Sequence, residues 1–387
     1  MSGPLGSAPA PGALDRLKWE TAGVGGIGAC AAEMDFGTAP TVTAALRTAV
    51  DRDRLGYLTP SLAADAAAAC ADWQYERYGW RVAPEDVHLL PDVIRALHVA
   101  IAHFSRPGSP VIVPMPAYNP FLTVPRLLGR EIVRVDLVRS GHGYVHDLDS
   151  LDRAFAAGGH LLVLCNPHNP LGTVMTRDHL LAVDAVVRRH GGRVFADEVH
   201  APLVYPGHRH IPYASVSPEA ARHTLTATSA SKGWNLAGLK CAQLLLTNDP
   251  DRERWPRLGR LATDGTATLG AVAAAAAYRS GRPWLETVLA RLDANRHLLA
   301  ALLATHLPEV DHLPPEGTFL AWLDLRGLPR LRGQEDGLAE LLARRAGITV
   351  VDGADCGPPG RGCARLNFAT TPDVLTRLVE RLAQAIG

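Results

Sequence analysis

The chain has 387 residues, of which 47% are hydrophobic and 20% are charged, and its formal net charge is zero. A balanced charge gives no electrostatic reason to expect nucleic acid or an anionic membrane as a partner. The six cysteines are scattered without a C-x-x-C pair, so we expect neither a metal site nor a disulfide framework, and a cytoplasmic protein is the simplest interpretation.

Residues 1–13 are rich in Gly, Pro, Ala and Ser and lack the basic start and apolar run of a signal peptide, so they predict a disordered leader. From about residue 85 to 250, short and continuously apolar runs alternate with helical patterns. This alternation is typical of a large α/β unit with a mostly parallel, seven-stranded sheet between helices. The predicted strands are Val87–Leu90, Val111–Met115, Ile132–Leu137, His160–Cys165, Arg193–Ala196, Thr224–Thr228 and Cys241–Leu246.

After residue 284 the pattern changes to that of a smaller α+β domain that follows a long helix over Trp284–Leu303. The predicted strands of this domain are Phe319–Leu323, Thr349–Val351 and Cys363–Phe368, and its helices are Gly337–Arg345 and Pro372–Ile386. After the leader at 1–13, we therefore predict an N-terminal segment (14–45) that packs with the small domain, a large domain (46–283) and a small C-terminal domain (284–387).

Side chains that suit a ligand site follow five of the predicted strands. They are Asp92, Tyr118, Asn169, Asp197, and Ser229 with Lys232. In open parallel sheets, ligands bind beyond the carboxyl ends of the strands. We therefore expect these loops to converge on one crevice.

Lysine is rare in this chain, since only three of the 39 basic residues are lysines. Two of them, Lys232 and Lys240, lie in the segment Ser229–Lys240. Arginine stays protonated, whereas a lysine amine with a lowered pKa attacks carbonyl groups. Lys232 is therefore predicted to be a nucleophile, and a carbonyl-binding lysine usually indicates pyridoxal phosphate (PLP), a cofactor that accepts electrons.

Three residues that precede Lys232 in the sequence are candidates to contact other parts of this cofactor. Asp197 ends a predicted buried strand, where a carboxylate is costly without a cationic partner such as the protonated ring nitrogen. A lone aspartate there is more often a cap or turn former, and the later lysine favours the cofactor role. His200 is predicted either to approach the phenolic oxygen of the ring or to face solvent. Asn169, in a turn-rich segment, is a candidate donor to that oxygen.

The order of four motifs resembles that of the fold-type I PLP enzymes, in the class I/II aminotransferase family. The motifs are Asn-Pro-x-Asn-Pro-x-Gly at Asn166–Gly172, Asp-Glu at Asp197–Glu198, Ser-x-x-Lys at Ser229–Lys232, and an arginine near the C terminus, Arg365. Further segments are most similar to the cystathionine β-lyase-like C–S lyases of the MalY/PatB type. They are Ala32–Phe36, Gly56–Tyr57, Asp197–His200 with Gly207–Pro212, Ser231–Gly238 and Arg365–Thr370.

The resemblance implies a PLP-dependent transferase fold and a role for each matching residue. Lys232 is expected to carry the cofactor, Asp197 to pair with the ring nitrogen and Asn169 to contact the 3'-oxygen. Tyr118 is expected to stack on the ring. Arg365 is expected to hold the substrate α-carboxylate in a two-pronged pair.

The resemblance also implies a phosphate site and a homodimer. Ser229 and the backbone amides of Val93 and Ile94, at the start of a helix, are the candidates for the phosphate. Lys240 stands where many aminotransferases have a phosphate-binding arginine, and the alternative for it is a surface role. Tyr57 matches a tyrosine that reaches the phosphate of the neighbouring subunit, which implies active sites shared across a homodimer.

Five residues depart from the pattern of the lyases, and two of them, Cys356 and Cys363, replace aromatic residues. Asp92 replaces a common glycine, and its charge would repel a phosphate unless the side chain points away. Cys30 replaces a usual tryptophan, and Asn119 replaces a proline or aromatic residue. The smaller side chains at these substrate-facing positions predict a roomier pocket and a substrate bulkier than cystathionine or free cysteine.

These observations predict a PLP-dependent β-elimination in which Lys232, Tyr118 and Asp197 are the catalytic residues. The substrate would be a cysteine S-conjugate, and the products a thiol, pyruvate and ammonia, with a setting in sulfur-containing natural-product biosynthesis. Three alternatives stay open: an aminotransferase, a decarboxylation-coupled oxidative deaminase of an S-conjugate, and a non-catalytic regulatory protein on the same fold.

Overall fold

The computed structural model describes residues 16–141 and 143–387, so the predicted leader at 1–13 lies outside the described residues. The strands are β1 (Ile27–Gly28), β2 (Val87–Leu90), β3 (Val111–Met115), β4 (Ile132–Ser140), β5 (Gly143–His146), β6 (Leu161–Cys165), β7 (Arg193–Asp197), β8 (Thr224–Thr228), β9 (Ala242–Leu246), β10 (Leu320–Asp324), β11 (Ile348–Thr349), β12 (Val351–Asp352) and β13 (Cys363–Asn367).

Fifteen α-helices of four residues or more accompany these strands in the described part of the chain. They are α1 (Leu17–Ala22), α2 (Pro40–Asp51), α3 (Pro60–Tyr78), α4 (Val93–Val99), α5 (Asn119–Leu127), α6 (Leu148–Ala156), α7 (Arg177–Arg189), α8 (Pro218–His223), α9 (Ala230–Gly233), α10 (Asp249–Arg254), α11 (Arg260–Thr263), α12 (Thr268–Ser280), α13 (Arg282–His306), α14 (Leu338–Ala346) and α15 (Pro372–Ile386). None of them is long and apolar enough to cross a membrane.

The large sheet has the strand order β2-β9-β8-β7-β6-β3-β4-β5. Neighbouring strands from β8 to β4 are parallel, whereas β2 pairs with β9, β9 with β8 and β4 with β5 in antiparallel fashion. The predicted mostly parallel sheet is confirmed, but its predicted number of seven strands is wrong. The eighth strand is β5, a four-residue, mostly half-buried strand that folds back on β4 and lacks a continuous apolar run.

The small sheet is antiparallel, with the order β10-β13-β12. The single strand predicted over Thr349–Val351 is wrong, because this stretch divides between two sheets. Ile348–Thr349 pairs in parallel with β1 of the N-terminal segment, and Val351–Asp352 pairs with β13. The N-terminal segment is thereby hydrogen-bonded to the C-terminal part of the chain, while the domain boundaries at 45 and 283 stay a prediction.

Helix α12 fixes the loop that follows β8. Gly270 on this helix lies so close to the loop that an added Cβ would be 2.0 Å from the carbonyl oxygen of Leu239. No real side chain tolerates such a contact, so the helix and the loop depend on glycine at this position. The segment between β8 and β9 includes helix α9 with Lys232, so packing against α12 helps to hold this lysine at the end of the sheet.

The N-terminal segment is anchored by a buried ion pair between Lys18 Nζ and Asp35 Oδ2, 2.9 Å apart, with side chains 0% and 3% exposed. Trp19 Nε1 also donates to Asp35 Oδ1 at 2.9 Å, and Lys18 donates to the Ala369 carbonyl oxygen at 3.3 Å. Burial lowers the pKa of Lys18, and the Asp35 carboxylate opposes this effect. The ion pair thus joins α1 to residues 29–35, which run along the site described below.

Replacing Lys18 with methionine is expected to lower the free energy of unfolding by about 3–5 kcal/mol, because it leaves a buried carboxylate without its cation. Urea denaturation of the purified chain measures this loss. The double variant Lys18→Met/Asp35→Asn removes both charges and is expected to recover most of it. A single variant as stable as the parent chain would contradict the structural role of the pair.

Candidate active site

A cavity of about 1040 Å³ lies beyond the carboxyl ends of the parallel strands, where the sequence predicts a ligand site. The predicted residues that line it are Cys30, Asp92, Val93, Ile94, Tyr118, Asn169, Asp197, His200, Ser229, Lys232, Lys240 and Arg365. Two predicted residues lie outside the lining. Tyr57 is 99% exposed, and Asn119 begins α5 and donates its Nδ2 to the Asp355 carbonyl oxygen at 3.1 Å.

Lys232 lies in the short helix α9, directly after β8. The side chain of Ser229 caps this helix by accepting a hydrogen bond from the Ser231 amide. Burial, with help from the charge of Arg365, lowers the pKa of Lys232 to about 8, whereas Asp197 and Glu33 act in the opposite direction. A substantial fraction of the amine is therefore neutral near pH 7 to 8 and available as a nucleophile.

Asp197 is the last residue of β7 and is only 3% exposed. Burial raises the pKa of its carboxyl group to about 7, although the Val199 amide donates to Oδ1 at 3.1 Å and favours the charged form. A buried carboxylate of this kind needs a cation in contact with it. The protonated ring nitrogen of PLP is such a cation, so the residues at the base of the cavity fit this cofactor.

Arg365 lies on β13 and is 5% exposed, so it is not an ordinary surface charge. Its Nη1 donates to Asn169 Oδ1 and its Nη2 to the Cys30 carbonyl oxygen, both at 3.0 Å. Its Nε has no hydrogen-bond partner in the described part of the chain. The guanidinium is thus held in place, and each Nη keeps a second N–H with which it could bind a substrate carboxylate. Within residues 16–141 and 143–387, the Asn169 side chain bonds through Oδ1, and its amide nitrogen could donate to a ligand.

The backbone amides at the start of α4 are predicted to bind the phosphate, and Asp92 caps this end of the helix. Asp92 Oδ1 accepts from the Arg95 amide at 2.8 Å, and Oδ2 lies 3.0 Å from Lys240 Nζ. The side chain therefore does not point away from the helix start. Ser229 Oγ likewise donates to the Cys241 carbonyl oxygen at 2.7 Å. A bound phosphate would compete with Asp92 for Lys240 and for the helix amides.

His200 and Tyr118 form part of the cavity wall. His200 is 2% exposed, so the solvent-facing alternative is wrong, and burial lowers its pKa to about 3, which keeps the imidazole neutral. Tyr118 precedes α5 and packs edge-on against Phe121, with ring centroids 5.6 Å apart. Burial raises its pKa, an effect opposed by Arg365, so the phenol is protonated.

Sequence reasoning missed the backbone of residues Ala29–Asp35, which we call the strap. The Ala32 carbonyl oxygen accepts from Lys232 Nζ at 3.2 Å. Two asparagines hold the strap: Asn235 binds both backbone groups of Met34, and Asn367 donates to the carbonyl oxygens of Ala31 and Glu33. Both asparagines lie within segments that carry the resemblance to the lyases. Their place in these segments was the available sign that they belong to the site.

Comparison with known proteins shows the family to which the chain belongs. Residues 25–382 match the family model described as aminotransferase class I and II. The chain is 39% identical over 355 residues to cystathionine beta-lyase of Corynebacterium glutamicum, covering 92% of each chain. It is 32% identical over 359 residues to cystathionine beta-lyase PatB of Bacillus subtilis, covering 91% of each.

Among solved structures, the crystal structure of cystalysin from Treponema denticola, which contains a pyridoxal 5'-phosphate cofactor, superimposes with a TM-score of 0.92. The two sequences are 26% identical, and the match covers 100% of this chain and 99% of cystalysin. The predicted fold, the predicted resemblance and the predicted cofactor are thereby confirmed.

Proposed function

Because the chain belongs to the class I and II aminotransferase family, we propose that it is a PLP-dependent carbon–sulfur lyase acting on an S-conjugate of cysteine. The observation that carries the proposal is that one cavity holds Lys232, Asp197 and Arg365. The curated relatives named cystathionine beta-lyase support cleavage of a C–S bond. The reaction converts the S-conjugate and water into a thiol, pyruvate and ammonia.

Lys232 is the proposed attachment residue and the proton carrier. When bound, PLP supplies an aldehyde that combines with amines and a ring that withdraws electrons from the substrate Cα. A Lys232 amine that is not attached to the cofactor would remove the Cα proton of the substrate. A pKa of about 8 suits this task, because general bases work best when their pKa lies near the operating pH.

The other residues of the cavity bind and orient the cofactor and the substrate. Asp197 holds the positive charge on the ring nitrogen, which strengthens the electron withdrawal. Asn169 would donate to the 3'-oxygen of the cofactor, and Tyr118 would cover its ring. Arg365 holds the substrate α-carboxylate, so that the Cα proton faces Lys232. Departure of the thiolate from Cβ then takes the electron pair of the C–S bond.

Replacing Arg365 with lysine is expected to lower kcat/KM by about 10- to 150-fold, the effect of losing about 1.5–3 kcal/mol from a charged hydrogen bond. Lysine keeps the charge but lacks the two-pronged geometry and the contacts to Asn169 and Cys30. Steady-state assays of thiol release measure the change. Substrates whose carboxylate is replaced by a carboxamide serve as the control, since they lack the group that Arg365 binds. An equal loss for both substrate types would contradict this assignment.

The proposed reaction is tested with the purified holoenzyme and a panel of cysteine S-conjugates, in which thiol, pyruvate, carbon dioxide and oxygen are followed together. Thiol and pyruvate in equal amounts without added keto acid support the lyase. A requirement for keto acid identifies an aminotransferase, and oxygen uptake with carbon dioxide release identifies an oxidative deaminase. Absence of cofactor absorbance from the purified chain would favour the non-catalytic regulatory protein.

We also propose a cytoplasmic homodimer with shared active sites. The 99% exposure of Tyr57 supports a contact with a second subunit, because a large aromatic side chain fully in solvent is unusual. All six cysteines are free thiols, which suits a reducing compartment. Sedimentation analysis of the wild-type chain and of Tyr57→Ala tests the dimer and the contribution of this residue.

A further inference from the structure

The carbonyl oxygens of the strap face two ways in alternation. Those of Ala29, Ala31 and Glu33 accept hydrogen bonds from Asn367: Ala29 from its backbone amide at 2.9 Å, and the other two from its Nδ2 at 2.6 and 2.7 Å. One residue thus binds every second carbonyl along five residues of chain.

The carbonyl oxygens between them face the cavity. That of Cys30 accepts from Arg365 Nη2 at 3.0 Å, and that of Ala32 accepts from Lys232 Nζ at 3.2 Å. The two residues that flank Ala32 are the two whose carbonyls are bound by the Asn367 side chain. Asn367, on the side of the strap away from Lys232, therefore sets the direction of the Ala32 carbonyl by holding the residues on both sides of it.

The Asn367 side chain has a single usable orientation. Its Oδ1 accepts from the Ala369 amide at 2.7 Å, and its Nδ2 faces two carbonyl oxygens, which only a donor satisfies. The residue is 1% exposed and is the last residue of β13, where it pairs with Leu320. Asn367 is thus a rigid support that itself makes no contact with the amine of Lys232.

We propose that Asn367 is a positioning residue that aims the Ala32 carbonyl oxygen at the Lys232 amine and so holds this amine for proton transfer at the substrate Cα. A lysine side chain has many rotamers, and a fixed acceptor selects one of them. Donation of one N–H to Ala32 leaves the lone pair of the neutral amine for the proton. The inference rests on the proposed role of Lys232 and does not depend on which bond breaks afterwards.

The chain contains a matched control for Asn367. Asn295 is 0% exposed, and its Nδ2 donates to the carbonyl oxygens of Phe368 and Thr370 at 3.0 and 2.7 Å. Asn367→Ala and Asn295→Ala each remove a buried amide that binds two backbone carbonyls, so a comparable loss of stability is expected in both. Only Asn367→Ala releases the strap beside Lys232.

The decisive measurement is exchange of the Cα hydrogen of L-alanine in D₂O, followed by NMR with the holoenzyme. Alanine has no leaving group, so exchange reports proton transfer alone. We expect Asn367→Ala to exchange at least tenfold more slowly than Asn295→Ala, and Asn367→Ser, which keeps one donor, to lie between them. Equal rates in the two alanine variants would overturn the proposal. If the wild-type enzyme exchanges the Cα hydrogen of alanine but releases no thiol from S-conjugates, the lyase function is rejected. The role of Asn367 in proton transfer can still be tested in that case.

A second measurement needs no turnover. In the full-length chain without cofactor, ¹⁵N-labelled lysine gives only three side-chain signals, because the chain has three lysines. An accepting carbonyl favours the charged amine, so its displacement in Asn367→Ala is expected to lower the pKa of Lys232 relative to Asn295→Ala. Coincident titration curves for the two variants would overturn the proposal, and Asn367→Ser replaces Asn367→Ala if that variant does not fold.

Discussion

Replacing Lys232 with alanine is expected to lower the rate of thiol release by about 10²- to 10⁴-fold, the usual contribution of a positioned proton carrier. The substitution removes both the attachment point of the cofactor and the base at Cα. Lys232→Arg is the matched variant, because it keeps length and positive charge while its guanidinium stays protonated. The same loss is expected for it, measured by continuous thiol detection. An arginine variant that keeps more than a tenth of the wild-type rate would contradict the assignment.

The attachment itself is measured by borohydride reduction followed by peptide mapping. Reduction makes the bond between the lysine nitrogen and the cofactor carbon permanent, and the chain offers three lysines. Lys18 is committed to a buried ion pair, and Lys240 is 58% exposed and paired with Asp92. We expect the label at Lys232 alone, and a label at either of the other two would reject the proposed active site.

Replacing Asp197 with asparagine is expected to lower kcat by about 10²- to 10³-fold, the usual cost of removing one preorganised electrostatic group. The amide has the shape of the carboxylate but cannot hold a positive charge on the ring nitrogen. Asp184→Asn is the control. Asp184 is also buried, at 4% exposure, and accepts from Ser217 Oγ at 2.9 Å outside the cavity. Its replacement is expected to affect stability and to preserve the rate.

The same Asp197→Asn variant is expected to stabilise the cofactor-free chain at pH 8. Burial raises the pKa of Asp197 from about 4 in an unfolded chain to about 7, so the folded state binds more protons between these values. The free energy of unfolding therefore falls as pH rises through this window. The destabilisation caused by ionising the buried Asp197 is fully present above about pH 7. Asparagine removes this destabilisation. Thermal unfolding at pH 8 and pH 5 measures it, and a lower Tm of the variant at pH 8 would contradict this reasoning.

The buried parallel strands could be predicted from the sequence because helices cover both of their faces. Their apolar runs are continuous, as in Val111–Met115, which is a strand over the predicted residues. The strand Gly143–His146 escaped prediction because it is short and partly exposed, so its residues carry no such run. The pairing of Ile348 with Ile27 joins residues more than 300 positions apart, and local pattern carries no information about such a contact.

The sequence also predicted that Lys232, Asp197 and Arg365 lie in one crevice, because they are residue types that the proposed chemistry demands, and all three line the same cavity. The position of Asp92 could not be predicted, since its charge alone does not tell whether it caps α4 or turns away. The strap escaped for a different reason. Its acceptors are backbone carbonyls, which every residue type carries, and only the fold shows that those of Cys30 and Ala32 face Arg365 and Lys232.

The alternation of carbonyls along the strap has a consequence for how the enzyme evolves. The groups that the strap presents to Arg365 and Lys232 belong to the main chain, and they survive a change of side chain. Cys30, Ala31 and Glu33 are among the residues that line the cavity. Mutation at these three positions is therefore free to reshape the recognition of the departing thiol while the reactive centre keeps its geometry, which makes the segment a natural target for a combinatorial library.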